Sequence, residues 1–225
     1  MAMLGRAVIA QGNPAKVDEV IAFIRERVQP LADAQAGSHG LSMFVNRETG
    51  LVLVSSAWED EAALRSSDAQ LEPARRQALA LLEAPEPRIE IMQPIIIFQN
   101  SRDQVGYWTR ASELRFPPDR LDDGIATFRS ELLPAIRARL EGVNSIALML
   151  NRQTGHGVVN VTFTSREALD ASREVADQLR SEFVRDTGAE AVGVMEMEVA
   201  IVGIRPPIDL PAQGAPVEFT LSRTD

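Results

Sequence analysis

The side chains that could recognise a small molecule are few, and most fall at matched places in two stretches of the chain. Trp58 and Phe163 each end an apolar run, and a flat aromatic ring at such a place can stack on an aromatic ligand. Asn160 lies between two valines in a predicted strand, where its amide needs a hydrogen-bond partner. Arg110 could bind a ligand oxygen, and Trp108 lies near the start of the second stretch. These five residues are our candidates for the lining of a cavity.

Each candidate also has an explanation that involves no ligand. Trp58 could pack the helix that follows it onto the sheet, as most buried aromatic residues do. Trp108 and its neighbour Tyr107 could anchor the connection between the two stretches. Arg110 has a counterpart in Arg6, and both could pair with acidic residues of the helices instead of a ligand carboxylate. The sequence leaves both explanations open for each residue.

Several kinds of chemistry are excluded or disfavoured by composition. The 225 residues include no cysteine, so disulfides and thiolate catalysis are excluded. His39 and His156, which we expect in solvated loops, have no Asp or Glu at ligand spacing, and we predict no metal site. We also predict no cofactor. The catalytic residues, if there are any, are not identified by sequence.

The charge and hydropathy of the chain limit its partners and location. The net charge is −9, with a pI of about 4.9, and the basic residues are scattered. This argues against nucleic acid or an anionic membrane as a partner. No apolar run approaches the roughly 20 residues that span a bilayer. Because the N-terminal residues also lack an apolar signal-like segment, we expect a cytoplasmic protein.

The two stretches that hold the candidates are copies of each other. The sequence NRETG at residues 46–50 returns as NRQTG at residues 151–155. Eight of the 22 positions that align residues 46–67 with residues 151–172 are identical, whereas average residue usage would give roughly one or two. The chain is therefore an internal duplication.

Hydrophobic periodicity predicts the same order of elements, βαββαβ, in both copies. In the first copy we predict strands at residues 6–11, 41–45, 51–58 and 89–98, a hairpin turn at 47–50, a first helix that begins at Pro14 and a second helix at 59–82. Pro30 should kink or end the first helix, and the second helix should break between residues 67 and 73. We predict a single helix at 165–187 in the second copy.

The duplication sets the domain organisation that we predict. Residues 1–98 form the first unit, 99–106 a linker, 107–204 the second unit, and 205–225 a proline-rich tail in which residues 217–221 could add an edge strand. The strands are apolar on both faces, and helices cover only one face of such a sheet. We therefore predict an α+β fold in which two tandem ferredoxin-like (βαββαβ) units pack sheet to sheet as an intrachain pseudo-dimeric α/β barrel, with an apolar cavity between the sheets.

These motifs together resemble the antibiotic biosynthesis monooxygenase-like (ABM) family of dimeric α/β barrels. The resemblance rests on the NRxTG hairpin, on Trp58 followed by DEAAL at residues 60–64, and on Pro30 before a glycine-containing turn. It implies one of several activities, among them cofactor-independent monooxygenation, haem degradation and isomerisation. Haem-degrading relatives resemble this chain less, since residues 6–11 contain no Asn and residues 59–82 no His.

The function that we predict is binding of a small apolar, aromatic or polyketide-like molecule. With such a ligand the protein could be a cofactor-independent monooxygenase or isomerase. The quinone-forming members of the family have Asn and Tyr where this chain has Val54 and Leu64. An alternative is a non-catalytic binding or structural protein whose cavity is filled by its own side chains. A third is a subunit of a larger enzyme, and association with a second copy into a homodimer is compatible with all three.

Overall fold

The computed structural model describes residues 3–205 and 215–219. Their contacts divide them into two compact units. The first unit contains residues 3–93 and 197–205, and the second contains residues 94–196 and 215–219. Each unit therefore takes a short segment from the other half of the sequence.

The first unit has the order βαββαβ. Its elements are β1 (Leu4–Gln11), α1 (Val17–Phe23), α2 (Gln29–Asp33), β2 (Ser38–Asn46), β3 (Leu51–Trp58), α3 (Glu61–Ser66), α4 (Asp68–Leu82) and the beginning of β4 (Arg88–Gln99). A 3-10 turn at Pro14–Lys16 precedes α1, and a π-helical turn at Ile24–Val28 joins α1 to α2. From Pro94 onward, β4 belongs to the second unit.

The second unit repeats this order. Its elements are β5 (Trp108–Arg115), α5 (Leu121–Thr127), α6 (Leu133–Arg139), β6 (Val143–Asn151), β7 (His156–Phe163), α7 (Arg166–Ala171), α8 (Arg173–Thr187), the first part of β8 (Glu190–Ile201) and β9 (Val217–Glu218). Again a 3-10 turn, at Pro118–Arg120, and a π-helical turn, at Phe128–Leu132, accompany the first helix. From Met197 onward, β8 belongs to the first unit.

The strands of each unit form one sheet. In the first unit the order is β4-β1-β3-β2-β8, and in the second it is β8-β5-β7-β6-β4-β9. In the first unit β3 pairs antiparallel with both β1 and β2, and in the second β7 pairs in the same way with β5 and β6. The central hairpin strand therefore holds each unit together.

The repeated NRxTG sequence forms the turn of each hairpin. The Oδ1 atom of Asn46 accepts hydrogen bonds from the backbone N–H groups of Glu48 and Thr49, and Asn151 does the same in the second unit. Gly50 has a φ of 72°, which side chains with a Cβ rarely adopt. A Cβ on Gly50 would also lie 2.1 Å from the carbonyl oxygen of Gly12. Backbone geometry thus explains why this motif occurs in both copies.

The first helix of each unit continues past its proline. A proline has no N–H group and crowds the carbonyl one turn before it. The π-helical turn widens the helix just ahead of Pro30, so that the Gln29 N–H bonds to the Ile24 carbonyl. The Leu133 N–H bonds to the Phe128 carbonyl in the same way before Pro134. We predicted that Pro30 would kink or end the helix. The π-helical turn interrupts the α-helix locally, and the helix does not end there.

The α+β fold with two tandem ferredoxin-like units is confirmed. Two details of the helices are corrected. The break in the second helix falls at Ser67 alone, and Pro73 lies inside α4. The single helix predicted at residues 165–187 is interrupted at Ser172. A serine at the same place in both copies marks the junction.

Part of the predicted C-terminal strand exists. In β9, Glu218 and Val217 pair antiparallel with Ile96 and Ile97 of β4, and Arg129 forms an ion pair with Glu218. Phe219 follows this strand and donates its N–H to the Ile95 carbonyl. Residues 220 and 221 of the predicted strand and most of the proline-rich tail, residues 206–214 and 220–225, lie outside the described residues.

Candidate functional site

A cavity of about 70 Å³ lies between the sheet and the helices of the first unit. It is partly open to solvent and its walls are mainly apolar. The strands contribute Arg6, Val8, Ala10, Leu41, Val52, Val54 and Ser56, and the helices contribute Val20, Ile24, Val28, Ala32, Leu71, Arg75, Ala78, Leu79 and Leu82. The π-helical turn thus forms part of the wall.

The register of β1 and β3 gives this cavity a polar end and an apolar end. Ala10 lies opposite Val52, and one step along the strands Val8 lies opposite Val54. At the next step, Arg6 lies opposite Ser56. Because alternate residues of a strand point to the same face, the polar groups fall together at one end of the cavity.

Arg6 is buried, with 3% of its surface exposed, and is held by the junction between α3 and α4. Its Nη1 donates to the Ser67 hydroxyl (3.3 Å), and its Nη2 donates to the Leu64 carbonyl (2.7 Å). Nη2 also lies 3.0 Å from the carboxylate of Asp68. Burial lowers the pKa of Arg6 from its ordinary value, and the charge of Asp68 opposes that shift.

Arg75 of α4 is the second cation of the cavity. Its guanidinium lies 2.6 Å from Glu72 and 3.3 Å from Asp68. Its side chain is only 15% exposed, whereas those of Asp68 and Glu72 are 51% and 40% exposed. Solvent therefore screens the two carboxylates more than it screens the two arginines.

Trp58 is wholly buried and lies beside the polar end of the cavity without lining it. Its Nε1 donates to the Ser56 hydroxyl at 3.0 Å. The guanidinium carbon of Arg6 lies 5.9 Å from the centre of the ring. Trp58 thus positions two polar groups of the site, and its predicted stacking on a ligand stays a prediction.

The second unit has a smaller cavity at the equivalent place. Its volume is about 40 Å³, and it is lined by Arg110, Ser112, Leu114, Leu132, Ile136, Leu140, Val159, Val161, Phe163, Ala176, Leu179, Arg180 and Phe183. Two of the five candidates, Arg110 and Phe163, are among these residues. Trp108 and Asn160 line neither cavity.

Arg110 is bound more completely than Arg6. Its Nη1 donates to Ser172 (2.9 Å) and its Nη2 to the Leu169 carbonyl (3.1 Å), which are the counterparts of Ser67 and Leu64. In addition, Nε and Nη2 donate to Glu196 Oε1 at 3.0 and 2.8 Å. We expected Arg6 and Arg110 either to bind a ligand carboxylate or to pair with acidic residues of the helices. Each arginine pairs with an acid, but only the partner of Arg6, Asp68, lies on a helix, since Glu196 lies on β8.

The two remaining candidates lie elsewhere. Asn160 is half-buried on β7, opposite Ala111 and Ala147. Since Val159 and Val161 line the cavity, Asn160 points to the other face of the sheet. Trp108 begins β5, with the guanidinium of Arg166 4.7 Å from the centre of its ring. Their predicted roles stay predictions.

Neither histidine lies in a solvated loop, so that expectation was wrong. His39 is half-buried on β2. His156 begins β7 with 5% of its surface exposed, and its Nε2 lies 3.9 Å from the carboxylate of Glu113. Within residues 3–205 and 215–219 no group of three or more His, Asp or Glu side chains could hold a metal ion. Over the same residues, no helix combines the length and the apolar character needed to cross a membrane.

The sequence did not identify several residues of the site. Ser56, Arg75 and Asp68 are ordinary polar residues in a strand and a helix, and their types alone do not single them out. The small residues Ala10, Ala32 and Ala78 were also missed. Aligning the two copies could have found them, because the second copy has large side chains at those three positions.

Comparisons with known proteins agree with the fold. Residues 4–70, from β1 to the beginning of α4, match the family model for antibiotic biosynthesis monooxygenase. A protein of Mycobacterium tuberculosis that carries the description uncharacterized is 33% identical over 203 residues, which cover 90% of this chain and 85% of that protein. A second such protein of the same organism is 29% identical over 202 residues, covering 90% and 89%. The chain belongs to the antibiotic biosynthesis monooxygenase-like family.

Solved structures that resemble this chain share its fold over nearly its whole length. An anthrone oxidase-like protein superposes with a TM-score of 0.64 at 15% identity, covering 94% of this chain and 96% of that one. A putative monooxygenase from Lactobacillus acidophilus has a TM-score of 0.61 at 10% identity, covering 88% and 93%. At these identities the similarity extends to the fold alone.

Proposed function

We propose that the first unit binds one small, largely apolar molecule in the cavity beside Arg6. The observation that supports this most directly is the difference between the units: the cavity measures about 70 Å³ in the first and about 40 Å³ in the second. Both keep a buried arginine at the polar end. The alternative of a cavity filled by the protein's own side chains therefore describes the second unit better than the first.

The volume limits the size of the ligand. A cavity of about 150 Å³ binds benzene, and sites for drug-sized ligands measure roughly 300–1,000 Å³. A cavity of about 70 Å³ suits a molecule no larger than one ring, or one that extends through the open side. A polyketide-like ligand with several rings requires the side chains of the helices to move.

Binding can be tested with nitrobenzene, an apolar single-ring compound that quenches tryptophan fluorescence. The Trp108→Phe variant leaves Trp58, beside the polar end, as the only tryptophan. We expect saturable quenching of Trp58 and, by equilibrium dialysis, one equivalent bound per chain. Quenching that rises linearly without saturation, or two equivalents per chain, would contradict the proposal.

A second candidate function, cofactor-independent monooxygenation, is favoured by membership of the family. Such a reaction begins with loss of a proton from an acidic phenol or enol, and O2 then reacts with the anion. Among the described residues, those that line the first cavity include no carboxylate, imidazole or phenol, so the proton would pass to solvent. We expect NADH-independent oxygen uptake with anthrone or a smaller phenol if this function holds. Saturable binding without oxygen uptake would instead indicate a carrier.

A further inference from the structure

The strand β9 is a short addition to one edge of β4. It pairs antiparallel with Ile96 and Ile97, and the N–H of Phe219, which follows it, donates to the Ile95 carbonyl at 3.0 Å. An extended segment that adds to a sheet edge is held by main-chain hydrogen bonds, and the groups around its side chains select its sequence. In this structure the edge of β4 binds a strand of the chain's own tail.

Arg129 binds the side chain at the centre of the added segment. Its Nη2 donates to Glu218 Oε2 at 2.8 Å, and its Nε forms an ion pair with Oε1. Two parallel bonds between a guanidinium and a carboxylate add geometric specificity to the attraction of the charges. Val217 and Phe219, on either side of Glu218, are half-buried. The surface therefore fits an acidic residue between two apolar ones.

The corresponding arginine of the first unit has a different partner. Arg25 and Arg129 are each the second residue of a π-helical turn. Arg25 donates from Nη2 to the Ala200 carbonyl at 3.2 Å, and Ala200 lies on β8, the strand that corresponds to β4. The arginine thus binds the strand itself in the first unit, whereas in the second unit it binds a side chain of an added segment.

The contacts that hold β9 are few. The strand is two residues long, and the side chains of Arg129 and Glu218 are 48% and 50% exposed. An ion pair between side chains this exposed contributes little to stability. A segment of similar sequence that forms more main-chain hydrogen bonds along β4 can therefore replace β9.

From these contacts we propose that the edge of β4 at residues 95–97, together with Arg129, is a docking site for a partner protein. The partner binds through an extended segment in which an acidic residue lies between two apolar ones, and this segment replaces β9. The chain's own tail closes the site when the partner is absent. This inference does not depend on a ligand in the cavity of the first unit.

The test uses the full chain and a peptide with the sequence of the tail. Glu218→Lys places a positive charge against Arg129 and should free the edge of β4. The probe is the dye-labelled peptide APVEFTL, residues 215–221, and fluorescence anisotropy gives its affinity. We expect saturable binding to Glu218→Lys, about tenfold tighter than to the wild-type chain, because β9 competes with the peptide only in the wild type.

Two altered peptides test what the site recognises. The same peptide with Lys in place of Glu should bind Glu218→Lys about tenfold more weakly, because it brings a second positive charge to Arg129. The peptide with Pro in place of Phe lacks the N–H that donates to the Ile95 carbonyl. We expect no saturable binding of that peptide.

Reversal of the charge at the site should reverse the preference. In Arg129→Glu two glutamates face each other, so β9 should leave the edge and the lysine peptide should bind more tightly than the glutamate peptide. The matched control combines Glu218→Lys with Arg139→Glu, which reverses an exposed charge of the same unit. This control should still prefer the glutamate peptide.

Each failure has its own meaning. If the glutamate peptide does not bind Glu218→Lys saturably, docking at the edge of β4 is overturned. Equal affinities of the two charged peptides, or an unchanged preference in Arg129→Glu, would overturn the role of Arg129. Wild-type dimers that form with rising concentration in sedimentation, and that are lost in Phe219→Pro, would identify the occupant as the tail of a second copy and overturn the partner protein.

Discussion

The two units share an order of elements, a hairpin motif, a π-helical turn and a buried arginine, yet the cavity that these features surround differs between them. Three positions account for much of the difference. Small side chains of the first unit correspond to large ones of the second, in the pairs Ala10 and Leu114, Ala32 and Ile136, and Ala78 and Phe183. The backbone is kept, and the side chains decide whether the cavity is open.

An aromatic pair completes the filling of the second unit. Phe116 packs edge-on against Phe183, with ring centres 6.1 Å apart, and the counterpart of Phe116 in the first unit is Gly12. Glycines make room for Phe116, because a Cβ on Gly124 would lie 2.5 Å from its ring and one on Gly157 2.8 Å. A core of this kind changes by compensating substitutions, since overpacking destabilises a core, as a void does.

Charge differs between the units as well. Asp68, which pairs with Arg6, corresponds to Arg173 in the second copy. The second unit takes its acid from the sheet instead, as Glu196 binds both Arg110 and Arg173. The carboxylate that pairs with the arginine is half exposed in the first unit. In the second unit it accepts a hydrogen bond from the Nε of Arg110.

The largest effect that we predict is on stability, in the second unit. Phe183→Ala removes a ring that is 3% exposed and should lower the free energy of unfolding by about 3–5 kcal/mol, as is typical of Phe→Ala in a core. Urea unfolding measures this change. Ala78→Gly, the smallest truncation at the matched position, should cost about 1 kcal/mol, mainly through helix propensity. Equal costs would show that the two positions do not differ in packing.

The next effect is on binding, in the first unit. Ala78→Phe introduces the residue that the second unit has at this position, and should weaken nitrobenzene binding at least tenfold, about 1.4 kcal/mol, because the ring occupies the cavity. Equilibrium dialysis gives the affinity. The matched control is Ala80→Phe, which adds the same ring to the same helix at an exposed position. Unchanged affinity in Ala78→Phe would place the ligand elsewhere.

A third comparison concerns the two acids. Glu196→Gln should lower the free energy of unfolding by about 1–2 kcal/mol, because it removes a charge-assisted bond to an arginine that is 4% exposed. Asp68→Asn should cost less, about 0–1 kcal/mol, since Asp68 is half exposed. Both costs are read from urea unfolding at neutral pH. The reverse order would mean that the two arginines are not held as the hydrogen bonds indicate.

The smallest effect concerns the segment that follows the fourth strand of each unit. In the second unit, Asp103 accepts hydrogen bonds from Asn144 (2.7 Å) and Ser145 (3.1 Å). Burial raises the pKa of Asp103 above its ordinary value of 3.8, partly offset by these bonds. In the first unit, the segment that follows β8 bonds to a neutral group, since Gly203 and Ile204 donate their N–H groups to the Ser42 hydroxyl.

The raised pKa sets the sign of a pH effect. The folded protein holds the Asp103 proton more tightly than the unfolded chain, so the contribution of Asp103 to stability falls as pH rises from 3.8 through the raised pKa. The side chain at position 103 does not titrate in Asp103→Asn. The free energy of unfolding of this variant minus that of the wild type should therefore rise by less than about 1 kcal/mol over that window and then level off. Urea unfolding between pH 3 and pH 7 measures it. A difference that is constant with pH would show that Asp103 titrates as in the unfolded chain.

The sequence predicted the fold better than the site, and the reasons are physical. The period of apolar residues and the NRxTG turn are local signals, and they gave the element order of both units. The breaks at Ser67 and Ser172 lie where the Nη1 atoms of two buried arginines, Arg6 and Arg110, donate to these hydroxyls, and both arginines are far away in sequence. The cavity depends on the sum of several side-chain volumes, which no single residue reveals. Trp58 stood out for its type, whereas the alanines that open the site did not.

The division of β4 and β8 between the units has a consequence for the history of the protein. Each copy of the duplicated sequence supplies a strand segment that the other copy's sheet requires, so neither copy can be deleted without removing part of both sheets. Selection then preserves the backbone of both copies, even where only one binds a ligand. Substitutions can therefore close the cavity of the second copy, but the second copy cannot be deleted. A specialised site can develop in the first copy without a change in the number of domains.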